Sequence, residues 1–244
     1  MIALSLAEIA QVVGGTMHPA DVGEVMVTSE VVTDSREAKP GSLYVARIGA
    51  ALDGHDFVAG AADRGAVAAL TTRLVSDLPC IVVEDDQAAF AALARHVIDI
   101  HPDLLVIGIT GSSGKTSTKD LLGGVLELVG PTIAPMGSLN SEVGVPLTVC
   151  RVTEDTRHLV VEMGARGIGH IRYLTTMAPP RIRRGRASGW GSVRIKSTAM
   201  TASSSGSRTT DPPTRVRSAE SIQAPTGRAA SNQEPAAMTT ATAT

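Results

Sequence analysis

The sequence predicts an α/β protein. Over the first 180 residues, short apolar runs of strand length alternate with helix-period segments, the pattern of a parallel sheet flanked by helices. One such run, 104–110, leads through a glycine-rich loop straight into a helix. A third observation limits the prediction. The 244 residues carry a net charge of −2, but that average joins two unlike parts. Residues 1–180 hold 12 Lys/Arg against 21 Asp/Glu, whereas 181–244 hold 10 against 3. The latter segment has no Leu or Phe, three Ile, two Val and 20 Ser/Thr. So few large apolar side chains cannot offset the entropy of ordering, and disorder is expected there. The predicted organisation is an N-terminal α/β domain (1–101), an incomplete P-loop parallel-sheet domain (102–180) and a disordered tail (181–244).

Each element has a local reason. Ser5-Leu6-Ala7-Glu8 is a capping box, in which the Ser5 hydroxyl accepts from the third helical amide and Glu8 reaches back. The helix over 6–13 sets Leu6, Ile9, Ala10 and Val13 on one face, and Gly14-Gly15 ends it. Alternation then leads to a turn at 31–36, Pro40-Gly41 and a short apolar strand, 42–46. Asp53-Gly54-His55-Asp56 reads as a loop, and 57–64 as a helix closed by Gly65. Buried strands are expected at 66–70 and 80–83. A helix follows over 87–100, with Asp85-Asp86 at its start, where acids suit the dipole. Beyond Pro102, the run 104–110 reads as a strand buried on both faces. A helix over 117–129, strands at 131–134 and 158–162, and a helix over 168–176 complete the ordered part.

Composition excludes several classes. The charge balance lacks the basic excess of a nucleic-acid binder. No apolar run reaches the length of a membrane span, and the first 15 residues carry Glu8 and no basic region, unlike a secretory signal. Only Cys80 and Cys150 are present, each among apolar neighbours, so both read as inert core thiols in a reducing compartment. A cytoplasmic monomer is expected. His55 reads as a hydrogen-bonding or surface residue, and His170 and Arg172 as helix residues without chemistry.

The chemistry concentrates at Gly111-Ser112-Ser113-Gly114-Lys115-Thr116-Ser117. Between a strand and a helix, such a loop turns several backbone amides onto one phosphate, and the helix dipole favours the negative charge. Lys115 would contact the β/γ-phosphates and the Thr116 hydroxyl would ligate Mg²⁺. The usual leading glycine is displaced: Ile109 stands in its place and Gly108 one residue early. A Gly/Ser turn with a solvated lysine is the plainer alternative. Glu162, ending a predicted strand, is either a metal ligand beside the loop or an ion-paired or capping carboxylate.

The displaced-glycine loop resembles that of the Mur ligase family of peptidoglycan synthesis. Other stretches agree: Asp34-Ser35-Arg36, Pro40-Gly41-Ser42-Leu43-Tyr44-Val45-Ala46, Asp53-Gly54-His55-Asp56-Phe57 and Gly65-Ala66. The loop, together with Gly137-Ser138-Leu139-Asn140 and Val161-Glu162-Met163-Gly164-Ala165, is most similar to the member acting last. The resemblance covers about residues 1–180. It implies ATP-driven amide formation with ATP and Mg²⁺, joining D-alanyl-D-alanine to UDP-N-acetylmuramoyl-tripeptide. It also implies Lys115 and Glu162 as catalytic residues, Thr116 and Glu162 as metal ligands, and residues 111–117 around the nucleotide. Ser35 would contact the uracil and ribose region, and Asn140 the substrate near the γ-phosphate. Ser141 stands where the family has a second asparagine. A folylpolyglutamate-synthase-like ligase, a P-loop kinase or GTPase, and a non-catalytic binder of the UDP-sugar peptide are the competing readings.

After Ala178-Pro179-Pro180 the family's aliphatic strand is replaced by Arg181-Ile182-Arg183-Arg184-Gly185-Arg186. A reading-frame shift near codon 181 is the expectation, making the chain as written a truncated, inactive form; a natural disordered basic tail is the alternative. Resequencing tests this: an intact frame with no ligase continuation in either alternative frame overturns it.

Overall fold

The computed structural model describes residues 1–49 and 51–180; the expected disordered tail and frame shift lie outside the described residues. Two sheets organise them. The first has five strands, β2 (Thr16–His18), β4 (Val31–Val32), β5 (Leu43–Val45), β6 (Ala68–Thr71) and β7 (Cys80–Val82), in the order β2-β7-β6-β5-β4. Only β2 runs antiparallel to its neighbour. A separate antiparallel ladder joins β1 (Leu4–Ser5) to β3 (Met26–Val27). The second sheet is parallel, with β8 (Leu105–Ile109), β9 (Thr132–Ile133) and β10 (His158–Glu162) in the order β8-β10-β9.

Six helices pack around them: α1 (Leu6–Val13), α2 (Val58–Ala62), α3 (Asp86–Asp99), α4 (Lys115–Glu127), α5 (Gly144–Val149) and α6 (His170–Met177). The capping box of α1 forms as expected, with Ser5 N donating to Glu8 at 2.8 Å and Glu8 N to Ser5 Oγ at 3.2 Å. Asp85 caps α3 by accepting from Gln87 N and Ala88 N. α3 packs against α1 and against α5 and α6, burying Phe90, Leu93, Val97 and Ile98 completely. Each such side chain contributes about 1.5–3 kcal/mol on burial. One apolar cluster therefore runs from Leu6, Leu43 and Leu70 through α3 to Val106, Leu159 and Leu174.

Several local expectations shift. The loop at 53–56 is a 3-10 turn, Gly54–Phe57, continued by the short α2, because Asp53 caps it by accepting from His55 N. α4 begins two residues earlier than expected, since Gly114 takes the left-handed conformation (φ 72°) and frees Lys115 to start the helix. Strand β8 is not buried on both faces: Leu105, Ile107 and Ile109 are half-buried, while Val106 is buried. It stands at the edge of its three strands, and β10, the central one, is the strand whose apolar run is enclosed. Helix α5 has no counterpart in the sequence reading. Its run Val143-Gly144-Val145-Pro146 looks strand-like, but Ser141 Oγ accepts from Gly144 N at 3.2 Å and starts a helical turn. Gly144 is needed there, since a Cβ would lie 2.6 Å from the Leu139 backbone.

Candidate functional site

The glycine-rich loop follows β8, and α4 begins at Lys115 with no side chain capping its first turn. Its N-terminal amides thus remain available to an anion. Gly111, Ser112, Ser113 and Gly114 are exposed, as is Ser117, while Lys115 and Thr116 are half-buried. The Lys115 ammonium folds back across the loop and donates to Gly111 O at 2.9 Å. Gly108, the displaced glycine, serves the strand instead: a Cβ there would meet Pro180 at 3.1 Å and Met163 at 3.5 Å.

Glu162 ends β10 in register with Ile109, which sets its carboxylate beside the loop. The residue is only 1% exposed, and both carboxylate oxygens are held. Oε2 accepts from the Thr116 hydroxyl at 2.9 Å; Oε1 accepts from Asn140 Nδ2 at 2.8 Å and from Ser138 Oγ at 3.2 Å. Burial pushes the Glu162 carboxyl up, but these hydrogen bonds and the nearby Lys115 charge outweigh it, leaving the pKa below the ordinary glutamate value. The group is an ionised carboxylate at neutral pH. Two hard oxygens about 3 Å apart match adjacent ligands of an octahedral Mg²⁺, whose bonds are roughly 2.0–2.1 Å. Among the described residues no cluster of three His, Cys, Asp or Glu exists, so protein ligands alone would not fill such a coordination sphere. That donor set suits a cation that keeps waters and phosphate oxygens.

A second concavity, of about 590 Å³, opens in the first sheet's region and is lined by Ser35, Arg36, Tyr44, Arg47, Gly54 and Phe57, among others. Ser35 begins a 3-10 turn, Ser35–Glu37, capped by Asp34. The Arg36 side chain and amide hold the Asp34 carboxyl down at about 2. Tyr44 donates its hydroxyl to Gly54 O at 2.9 Å, and burial pushes its pKa up to about 12. His55 is buried, its Nε2 accepting from Thr72 N at 3.0 Å, so its Nδ1–H donates to Asp53 at 2.6 Å. Arg47 donates to Gln87 Oε1 at 2.8 Å, and Gln87 donates to Glu142 O at 2.7 Å.

The structure brings Lys115, Thr116, Asn140 and Glu162 to one place and sets Ser35 in the other concavity. The Ser141 hydroxyl accepts from Gly144 N at 3.2 Å, just before α5. Cys80 and Cys150 are buried free thiols, and burial pushes the Cys150 thiol up to about 12. His170 pairs with Glu142 at 3.2 Å and with Gly164 O at 2.8 Å, a contact the sequence reading did not foresee. Ser138 and Lys119 were also missed. A serine beside a glycine, and a lysine one turn into a helix, carry no local mark of a long-range partner.

Comparisons with known proteins point to one family. Residues 109–183 match the Mur ligase middle domain, and residues 28–99 match the catalytic domain of the Mur ligase family. The UDP-N-acetylmuramoyl-tripeptide–D-alanyl-D-alanine ligase of Mycobacterium leprae is 42% identical over 210 residues, covering 75% of this chain and 40% of that protein. The Escherichia coli ligase of the same name is 37% identical, over 74% of this chain and 39% of that one. A crystal structure of MurF from Acinetobacter baumannii superposes with a TM-score of 0.67 at 31% identity, over 73% of this chain and 39% of that chain. MurF of Thermotoga maritima, in complex with ADP, gives 0.56 at 35% identity, over 63% and 36%. The chain spans about two fifths of the length of the curated relatives it matches.

Proposed function

From the premise that this chain belongs to the Mur ligase family through its N-terminal and middle domains, we propose that it serves ATP-dependent amide formation. The substrates are UDP-N-acetylmuramoyl-tripeptide and D-alanyl-D-alanine, as the names of its relatives state for those proteins. In this reading the chain supplies a UDP-substrate domain (1–101) and part of a P-loop domain (102–180), and acts in the cytoplasm as a monomer. The observation that carries it is Glu162 at the end of a parallel strand, hydrogen-bonded to Thr116 of the phosphate loop.

The roles follow from position. Amides of residues 111–117 and the Lys115 ammonium bind the nucleotide phosphates, and Lys115 neutralises charge on the transferred group. Thr116 and Glu162 would hold Mg²⁺, which would supply charge neutralisation for the nucleotide phosphates. Asn140 fixes the Glu162 carboxylate and borders the γ-phosphate, and Ser35 faces the uridine. Ser141 borders the substrate beside Asn140, its hydroxyl also accepting from Gly144 N. In the overall reaction the tripeptide carboxylate oxygen displaces ADP from the γ-phosphorus, and the dipeptide amine then displaces phosphate and loses a proton. Here the residues act by orientation and charge neutralisation rather than by covalent chemistry.

Calorimetric titration of the 244-residue protein with MgADP and, separately, with the tripeptide nucleotide tests the two seats. Saturable binding of both is expected; absence of both overturns the reading. Phosphate release that depends on D-alanyl-D-alanine separates a ligase from a binder.

A further inference from the structure

We propose that Lys119 is a positioning residue that sets the Glu162 carboxylate for its metal. The proposal deepens the reading of Thr116 and Glu162 as magnesium ligands and rests on it. Lys119 lies on α4 and is completely buried, which is costly for an ammonium unless its donors are all engaged. They are. Nζ donates to Pro135 O at 2.5 Å and to Gly137 O at 3.0 Å, and pairs with Asp120 at 2.6 Å.

The two carbonyls belong to a loop, not to a strand or helix, and Gly137 sits in it with φ at 65°. The next residue, Ser138, donates to Glu162 Oε1, and Asn140 donates both to Ser138 Oγ at 2.7 Å and to the same carboxylate oxygen. Helix α4 therefore grips Glu162 from two sides. Thr116 holds Oε2 directly, and Lys119, one turn further along, holds the loop whose side chains hold Oε1. An apolar residue at 119 would fill the same space but leave those carbonyls without a donor. The loop would then lose its fixed approach to the carboxylate. Lys119 touches neither nucleotide nor metal in this arrangement and acts only through Ser138 and Asn140.

The experiment measures ADP affinity of the whole chain with Mg²⁺ and with EDTA, and takes the ratio as the metal-dependent enhancement. Loss of an outer-shell partner commonly costs about ten- to a hundredfold in metal affinity. Lys119→Met is expected to lower the enhancement by about tenfold or more, while affinity in EDTA, set by the loop amides, changes by less than about twofold. Lys119→Arg, which keeps charge and donors, should recover part of it. In a Glu162→Gln background, Lys119→Met should cause no further loss, because the carboxylate it positions is gone. Full enhancement in a folded Lys119→Met protein overturns the proposal. Equal loss with and without metal does the same. So does loss of cooperative melting in both Lys119 variants, which would make Lys119 a residue of the core only. If the unmodified chain shows no metal enhancement, the magnesium reading itself fails, and this proposal falls with it.

Discussion

The concavity around Ser35 and the phosphate loop at 111–117 face ligands in opposite ways. Around the concavity, side chains and turns are bonded to one another: Tyr44 to Gly54, His55 to Asp53 and Thr72, Asp34 to Arg36. At the phosphate loop side chains are bonded, Lys115 to Gly111 O and Thr116 to Glu162, but no side chain caps the backbone amides that would meet a ligand. The glycines are exposed, a Cβ on Gly114 would meet nothing within 4 Å, and the first turn of α4 lacks a cap. A shaped pocket must be built from mutual contacts, so it is coupled to folding. A backbone-amide site needs only a strand, a tight turn and a helix, so its chemistry can be altered with little effect on stability.

Substitutions can break or sharpen that contrast. The largest effect is expected from Lys115→Ala. Loss of a charge-assisted phosphate contact costs about 1.5–3 kcal/mol, or roughly ten- to a hundredfold in MgADP affinity. Stability should change by only about 0.5 kcal/mol, as for other surface residues. Calorimetry and thermal melting check both, and a large fall in melting temperature would erase the contrast. Gly54→Ala should do the reverse. Its Cβ would lie 2.6 Å from the Arg47 backbone N and O, which cannot yield as a flexible side chain would. Destabilisation of about 1–3 kcal/mol is expected, with weaker UDP binding and unchanged ADP binding in the protein that remains folded. Equal weakening of both nucleotides would show that the two seats do not act independently.

A smaller effect should follow Tyr44→Phe, which removes the bond to Gly54 O and leaves the packing in place. About 0.5–1.5 kcal/mol of stability should be lost, measured by urea unfolding. No change would mean that the carbonyl finds water and that the turn is less tied than its geometry implies. The mildest test is acid titration. The His55 amide, then the His55 ring and Arg73, hold Asp53 at about 2, down from the ordinary 3.8. A lowered folded-state pKa means the stabilisation is present above about pH 4 and is lost as pH falls through about 2. Carboxyl NMR should therefore still find Asp53 ionised at about pH 3. A midpoint near the ordinary value would sink the claim that this turn is pre-bonded.

Legibility followed the same division. Ser5-Glu8, Asp85 and Gly111–Thr116 act on backbone groups within about four residues, so their partners are visible in the chain itself. The alternation of helix and strand and the placement of Glu162 at a strand end belong to the same class of signal. Tertiary packing decided the rest. Whether β8 or β10 would be the enclosed strand depended on sheet order, which hydropathy alone does not encode. The turn before α5, where Ser141 Oγ accepts from Gly144 N and Gly144 lies close against the Leu139 backbone, was not legible. Lys119 carries no mark in the sequence, and only the fold, by bringing the carbonyls of Pro135 and Gly137 to α4, gives its charge a buried place. Local hydrogen bonds are set by sequence spacing, whereas a buried charge is stabilised by partners that distant segments must supply.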